Sequence, residues 1–139
     1  MSRPNAPSIS VCIPAFNNER FIEAAIRSVL GQTRGDFELI IADDRSSDLT
    51  REKIRAFSDG RIRLIENDRN LGHEGNWNKV LAEARGRFVK ILPGDDILYP
   101  RCLERQMAAF EDPSSDGIAL VSCARDVIDE QGRRVLKRA

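Results

Sequence analysis

Three times in succession, a short apolar run rich in β-branched residues gives way to a polar turn and then to apolar residues recurring every three or four positions. The runs are Ile9 to Pro14, Phe37 to Ala42 and Ile62 to Ile65, and a fourth, Phe88 to Leu92, follows the last repeat. The stripe Phe21, Ile22, Ala25, Ile26, Val29 and Leu30 predicts an amphipathic helix over 19–32. Shorter helices are predicted over 49–57, with Ile54 and Phe57 inward and Asp48 as N-cap, and over 77–84. Strand–helix–strand units in series require right-handed crossovers, and runs this apolar are buried on both faces. The expected fold is therefore α/β, a mostly parallel sheet with helices on both faces in three layers. Beyond it, 102–110 reads as a helix, 118–122 as a further strand, and 127–135 as a hairpin-like ending that turns at Gln131-Gly132.

The ends of two strands carry acidic pairs, Asp43-Asp44 after Phe37–Ala42 and Asp95-Asp96 after the run that begins at Phe88. Adjacent carboxylates repel and desolvate at high cost unless a cation, hydrogen-bond donors or open solvent meets them. In a parallel sheet both pairs emerge at the carboxyl edge, where ligands bind.

A chain of 139 residues is the size of one ordinary domain. We expect that domain over residues 8–139, preceded by a disordered lead over 1–7. Lys plus Arg (22) balances Asp plus Glu (22), so no global field draws in nucleic acid, which is excluded as a partner. Cys12, Cys102 and Cys123 are odd in number and widely spaced, which fits reduced packing residues and a cytoplasmic compartment. No apolar stretch approaches the roughly 20 residues that cross a bilayer, so no transmembrane segment is expected.

Five segments, in this order, carry a resemblance: Ser10-Val-Cys-Ile-Pro-Ala-Phe-Asn-Asn-Glu, Ser28-Val-Leu-Gly-Gln-Thr, Phe37-Glu-Leu-Ile-Ile-Ala-Asp-Asp-Arg-Ser-Ser-Asp, Asn70-Leu-Gly and Leu92-Pro-Gly-Asp-Asp. Together they resemble the family-2 glycosyltransferases of the GT-A (Rossmann-like) fold, over roughly Ser8 to Ala124. The resemblance implies inverting transfer of a sugar from a nucleotide-diphosphate donor to a glycan or lipid-linked acceptor, with Mg²⁺ or Mn²⁺ as cofactor. By it, Asp96 holds the metal and Asp95 the metal or the ribose. Pro93 stands where the family usually has a further Asp, so water and diphosphate would complete the coordination.

For the base, Asp44 is the expected contact, since a carboxylate accepts from a ring N–H such as N3 of uracil, which cytosine lacks. Asp43 serves equally well as an Asx-turn acceptor. Arg45 stands where the family usually has Gly. Pro14 and Ala15 match the segment that wraps the base, with Asn17 beside them, and Phe16 offers either a ring face or a core side chain. Glu19 either bonds within the site or complements a helix dipole. Gly72 and Asn76 lie where helix N–H groups and amides can meet phosphate or ribose. Lys79 is a candidate cation, and His73 is not assigned as a base.

An inverting transfer needs a general base for the acceptor hydroxyl. Asp126, Asp129 and Glu130 do not match the family's base segment, so the base is expected outside this chain, in an acceptor-binding half, with membrane-peripheral attachment of the longer protein. Two rivals differ in sequence. A nucleotidyltransferase would place a glycine-rich basic loop after the first strand, where Pro14–Glu19 has neither Gly nor Lys, and a dinucleotide-binding oxidoreductase would show Gly-x-Gly-x-x-Gly there. A non-catalytic nucleotide-binding or scaffold module of the same fold is the third alternative.

Overall fold

In the computed structural model, which describes residues 6–138, the apolar runs form a four-stranded parallel sheet in the order β3-β2-β1-β4. The strands are β1 (Ile9–Ala15), β2 (Phe37–Asp43), β3 (Ile62–Glu66) and β4 (Phe88–Ile91). Register sets Ile9 opposite both Phe37 and Phe88, and Ala15 opposite Asp43. Every residue of β1 is buried, as a central strand of a doubly covered sheet requires. The edge strands β3 and β4 are mostly half-buried.

The helices between them are α1 (Ile22–Leu30), α2 (Thr50–Arg55) and α3 (Gly72–Ala82). From β1 to β3 the chain steps one way across the sheet, then returns to the far side of β1 for β4. Right-handed crossovers therefore place α1 and α2 on one face and α3 on the other. Accordingly α1 packs on α2, while α3 lies on β1 and β2. Strand alternation divides the core: Cys12, Ile40 and Ala42 pack with Val80 of α3. Val11, Ile13, Leu39 and Ile41 alternate with them, and Ile22, Ile26, Val29 and Ile54 are buried on α1 and α2. Each such side chain contributes about 1.5–3 kcal/mol.

Three helix starts differ from the sequence reading, and α1 begins at Ile22 rather than at Glu19. Leu49, not Asp48, is the cap position of α2, although Asp48 accepts the N–H of Thr50 at 2.9 Å. α3 begins at Gly72 rather than Trp77, where the carboxylate of a residue just past β2, described below, caps its start.

The residues form two compact units, one up to Cys102 and one from Leu103 onward. The second contains all but the first residue of α4 (Cys102–Glu111), a short 3₁₀ turn (Pro113–Ser115) and a hairpin of β5 (Arg125–Ile128) and β6 (Arg134–Arg138). Gly132, at φ 80°, turns the hairpin, and the Asp129 carboxylate accepts the N–H groups of Gln131 and Arg133. The expected strand over 118–122 does not form. Ile118 and Leu120 are 44% and 84% exposed, and the segment has no sheet partner among the described residues. The expected disordered lead over 1–7 falls mostly outside the described residues.

Candidate functional site

The order of the sheet reverses at β1, with β2 and then β3 on one side and β4 on the other. In such sheets the ligand crevice opens beyond the strands' carboxyl ends at the reversal. A cavity of about 370 Å³ lies there, lined by the ends of β1 and β2, the turn after β4 and the start of α3.

Asp44 lies on the β2 side of the cavity and is 2% exposed. Its Oδ1 accepts from Leu71 N–H at 2.7 Å and Asn67 Nδ2 at 3.0 Å, and its Oδ2 from Gly72 N–H at 2.9 Å. A carboxylate offers about four acceptor positions, so one on Oδ2 remains for a ligand. Asn76, also buried and lining, donates from Nδ2 to the carbonyl of Ala42 at 2.9 Å and that of Ala15 at 3.4 Å, which holds the two strand ends together.

On the β1 side, Pro14 and Ala15 present backbone, and Phe16 is 50% exposed, so its ring is a wall and not core. Across from it, α3 supplies His73 and Trp77, whose ring centroids lie 5.1 Å apart. On the β4 side, Pro93, Gly94 and Asp95 complete the lining. Asp95 and Asp96 are both exposed on a turn closed by Asp96 N–H on Pro93 O at 3.0 Å. No cluster of three or more His, Cys, Asp or Glu side chains occurs among the described residues. Asp95 and Asp96 could supply at most part of a cation's oxygen ligands, the rest coming from other groups.

Four expected contacts stand away from the lining. Asn17 accepts from Ser47 N–H at 2.9 Å and donates its own N–H to Ser46. Glu19 accepts from Leu49 N–H at 3.0 Å and so tethers the start of α2. Asp43, fully buried, takes the N–H and hydroxyl of Ser46, with Arg51 at 3.7 Å. Asp96 follows the lining residue Asp95 without lining the cavity itself. Conversely, His73 and Asn18 line it although sequence reasoning gave neither a role. Asn18 stood in the sequence only as one residue of the Ser10–Glu19 segment, because its neighbour Gly94 is remote in sequence.

Lys79 pairs with Glu83 at 3.5 Å on the helix surface and does not line the cavity. Arg45, at φ 59°, donates to the carbonyl of Asp68 at 2.8 Å.

The model of glycosyl transferase family 2 matches residues 10–137. The UDP-Glc:alpha-D-GlcNAc-diphosphoundecaprenol beta-1,3-glucosyltransferase WfgD of Escherichia coli is 44% identical over 100 residues, 72% of this chain and 40% of that protein. A GalNAc(5)-diNAcBac-PP-undecaprenol beta-1,3-glucosyltransferase of Campylobacter jejuni is 38% identical, over 73% of this chain and 34% of that protein. The chain thus spans well under half the length of these relatives.

Among solved structures, S. aureus TarS in complex with UDP superposes with a TM-score of 0.72 at 22% identity, over 87% of this chain and 41% of that one, a likeness of fold. The mannosyltransferase PcManGT from Pyrobaculum calidifontis, in complex with GDP-Man and Mn²⁺, gives 0.68 at 25% identity, over 78% and 33%. Because the family match runs from within β1 to within β6 and the relatives align over most of its length, this chain belongs to glycosyl transferase family 2.

Proposed function

We propose that this chain carries the donor site of a glycosyltransferase, binding a nucleotide-diphosphate sugar, UDP-sugar favoured, for inverting transfer to an acceptor hydroxyl in glycan or polysaccharide synthesis. The observation that carries this reading is the remaining acceptor position of Asp44 in a preformed cavity with Asp95 on its opposite side. In this reading Asp44 accepts the N3–H of uracil, Phe16 packs against the base, and Pro14 and Ala15 read its edge through backbone groups. Gly72 and Asn76 shape the ribose region. Asn17, Glu19 and Asp43 support the site by fixing the loops around it.

Asp95 and Asp96 would hold Mg²⁺ or Mn²⁺, which supplies charge neutralisation to the departing diphosphate when bound. The complex named for the mannosyltransferase supports a divalent ion. The general base belongs to an acceptor-binding part beyond residues 8–139. The diphosphoundecaprenol in the relatives' names supports a lipid-linked acceptor, and hence work at the cytoplasmic membrane surface. Among the described residues no helix is long and apolar enough to cross a membrane.

Competition among UDP, GDP and CDP tests the base reading. A cytosine presents a lone pair at N3 to the Asp44 carboxylate, so CDP is expected to bind at least about tenfold more weakly than UDP, the loss of one charge-assisted hydrogen bond. CDP binding as tightly as UDP contradicts it.

A further inference from the structure

Asn18 lines the cavity, yet among the described residues only one end of its carboxamide is bonded. Its Oδ1 accepts the N–H of Phe16 at 2.9 Å. An N–H must face an acceptor, so that bond fixes which end of the amide is oxygen. Nδ2 is left with two N–H donors and no partner among the described residues.

The side chain is projected from a fixed point. The Asn18 N–H donates to Thr50 Oγ1 at 2.8 Å, and its carbonyl accepts the N–H groups of Phe21 and Ile22 at 2.9 Å each. The carboxamide also lies flush on Gly94, where a Cβ would sit 2.5 Å from Oδ1 and 2.9 Å from Cγ. It therefore stands between the Phe16 wall and the turn that carries Asp95. In a nucleotide whose base reaches Asp44, the oxygen-rich group arriving beside that turn is the diphosphate.

We propose that the Nδ2 amide of Asn18 donates a hydrogen bond to a diphosphate oxygen of the nucleotide donor, an assignment that rests on the donor-site reading above. The same carboxamide, through Oδ1 and its contact with Gly94, keeps the base wall and the acidic turn in register.

The test is calorimetric titration of UDP and of uridine, with Mn²⁺ present, into the wild-type chain, Asn18→Asp and Asn18→Ala. Asn18→Asp keeps an oxygen for the Phe16 N–H and replaces the amide donor with an anionic oxygen. The expected result is a native-like unfolding midpoint for Asn18→Asp with UDP affinity reduced about tenfold or more, since a hydrogen bond to a charged group is lost and repulsion added. Uridine affinity should change little in Asn18→Asp, which keeps the oxygen that holds the Phe16 N–H, and should fall in Asn18→Ala, which loses it. Wild-type or tighter UDP binding by Asn18→Asp overturns the assignment while leaving the donor site standing. So does an equal loss for UDP and uridine in both variants, which marks a residue that merely shapes the cavity. A wild-type chain that binds no nucleotide sinks the donor-site reading, and this assignment with it.

Discussion

Gly72 donates its backbone N–H to Oδ2 of Asp44 at 2.9 Å, so the residue just past β2 caps the helix that opens after β3. With Leu71 and Asn67 on Oδ1, the same carboxylate faces the cavity and anchors α3. Asp44→Ala is therefore expected to lose nucleotide binding and stability together. Leaving these part-buried donors unpartnered should cost about 2–4 kcal/mol in urea unfolding. Asp44→Asn should recover part of the stability and none of the UDP affinity.

Two glycines separate a functional defect from a structural one. In Gly94→Ala the new methyl meets the Asn18 side chain, which can shift, so a loss of about 1–2 kcal/mol with a clear fall in UDP affinity is expected. In Gly86→Ala it meets backbone, 2.6 Å from Ser10 N and 2.7 Å from Ile9 C. That variant should lose about 3 kcal/mol or more, or fail to fold. Chemical denaturation beside titration of UDP distinguishes the two patterns.

Arg45 holds φ at 59°, a conformation that costs a non-glycine residue roughly 1–2 kcal/mol. Its bond to the Asp68 carbonyl and the added freedom of an unfolded glycine offset part of this. Arg45→Gly should therefore raise stability by up to about 1 kcal/mol. A lowered unfolding midpoint would mean that the Arg45 bond outweighs the strain.

Burial, reinforced by the nearby Glu38 charge, pushes the Cys12 thiol from 9.0 up to about 12. The unfolded chain releases this proton near 9 while the folded chain retains it, so the unfolded state binds fewer protons between about 9 and 12. Stability from this group is complete below pH 9 and falls as pH rises through that window. Cys12→Ala should flatten the fall. A thiol reagent should label exposed Cys123 in the native chain and reach Cys12 only on unfolding.

The sheet was legible because its strands are β-branched runs whose burial on both faces leaves no alternation to misread, and α1 because its stripe is regular. α3 was legible only from Trp77 onward. Its first turn, Gly-His-Glu-Gly, has poor intrinsic propensity and forms on a cap that the chain supplies 28 positions earlier. The run over 118–122 has strand composition but pairs with no strand among the described residues, and composition alone does not make a ladder. In the site, residue types at strand ends located the cavity, whereas the division of labour within it depended on loops meeting. Phe16 proved to be wall, while Asn17, Glu19 and Asp43 proved to be tethers. Asn18 carried no signal until Phe16 and Gly94 were placed around it.

The central claim is a nucleotide-diphosphate site completed by a divalent cation on Asp95 and Asp96. Its most direct test is calorimetric titration of UDP into the chain with and without Mn²⁺, beside Asp96→Ala and Asp95→Ala. The account predicts saturable binding that requires Mn²⁺ and falls about tenfold or more in each variant, with the unfolding midpoint of Asp95→Ala unchanged because that side chain is exposed. UDP binding that is indifferent to Mn²⁺ and to both carboxylates would contradict it.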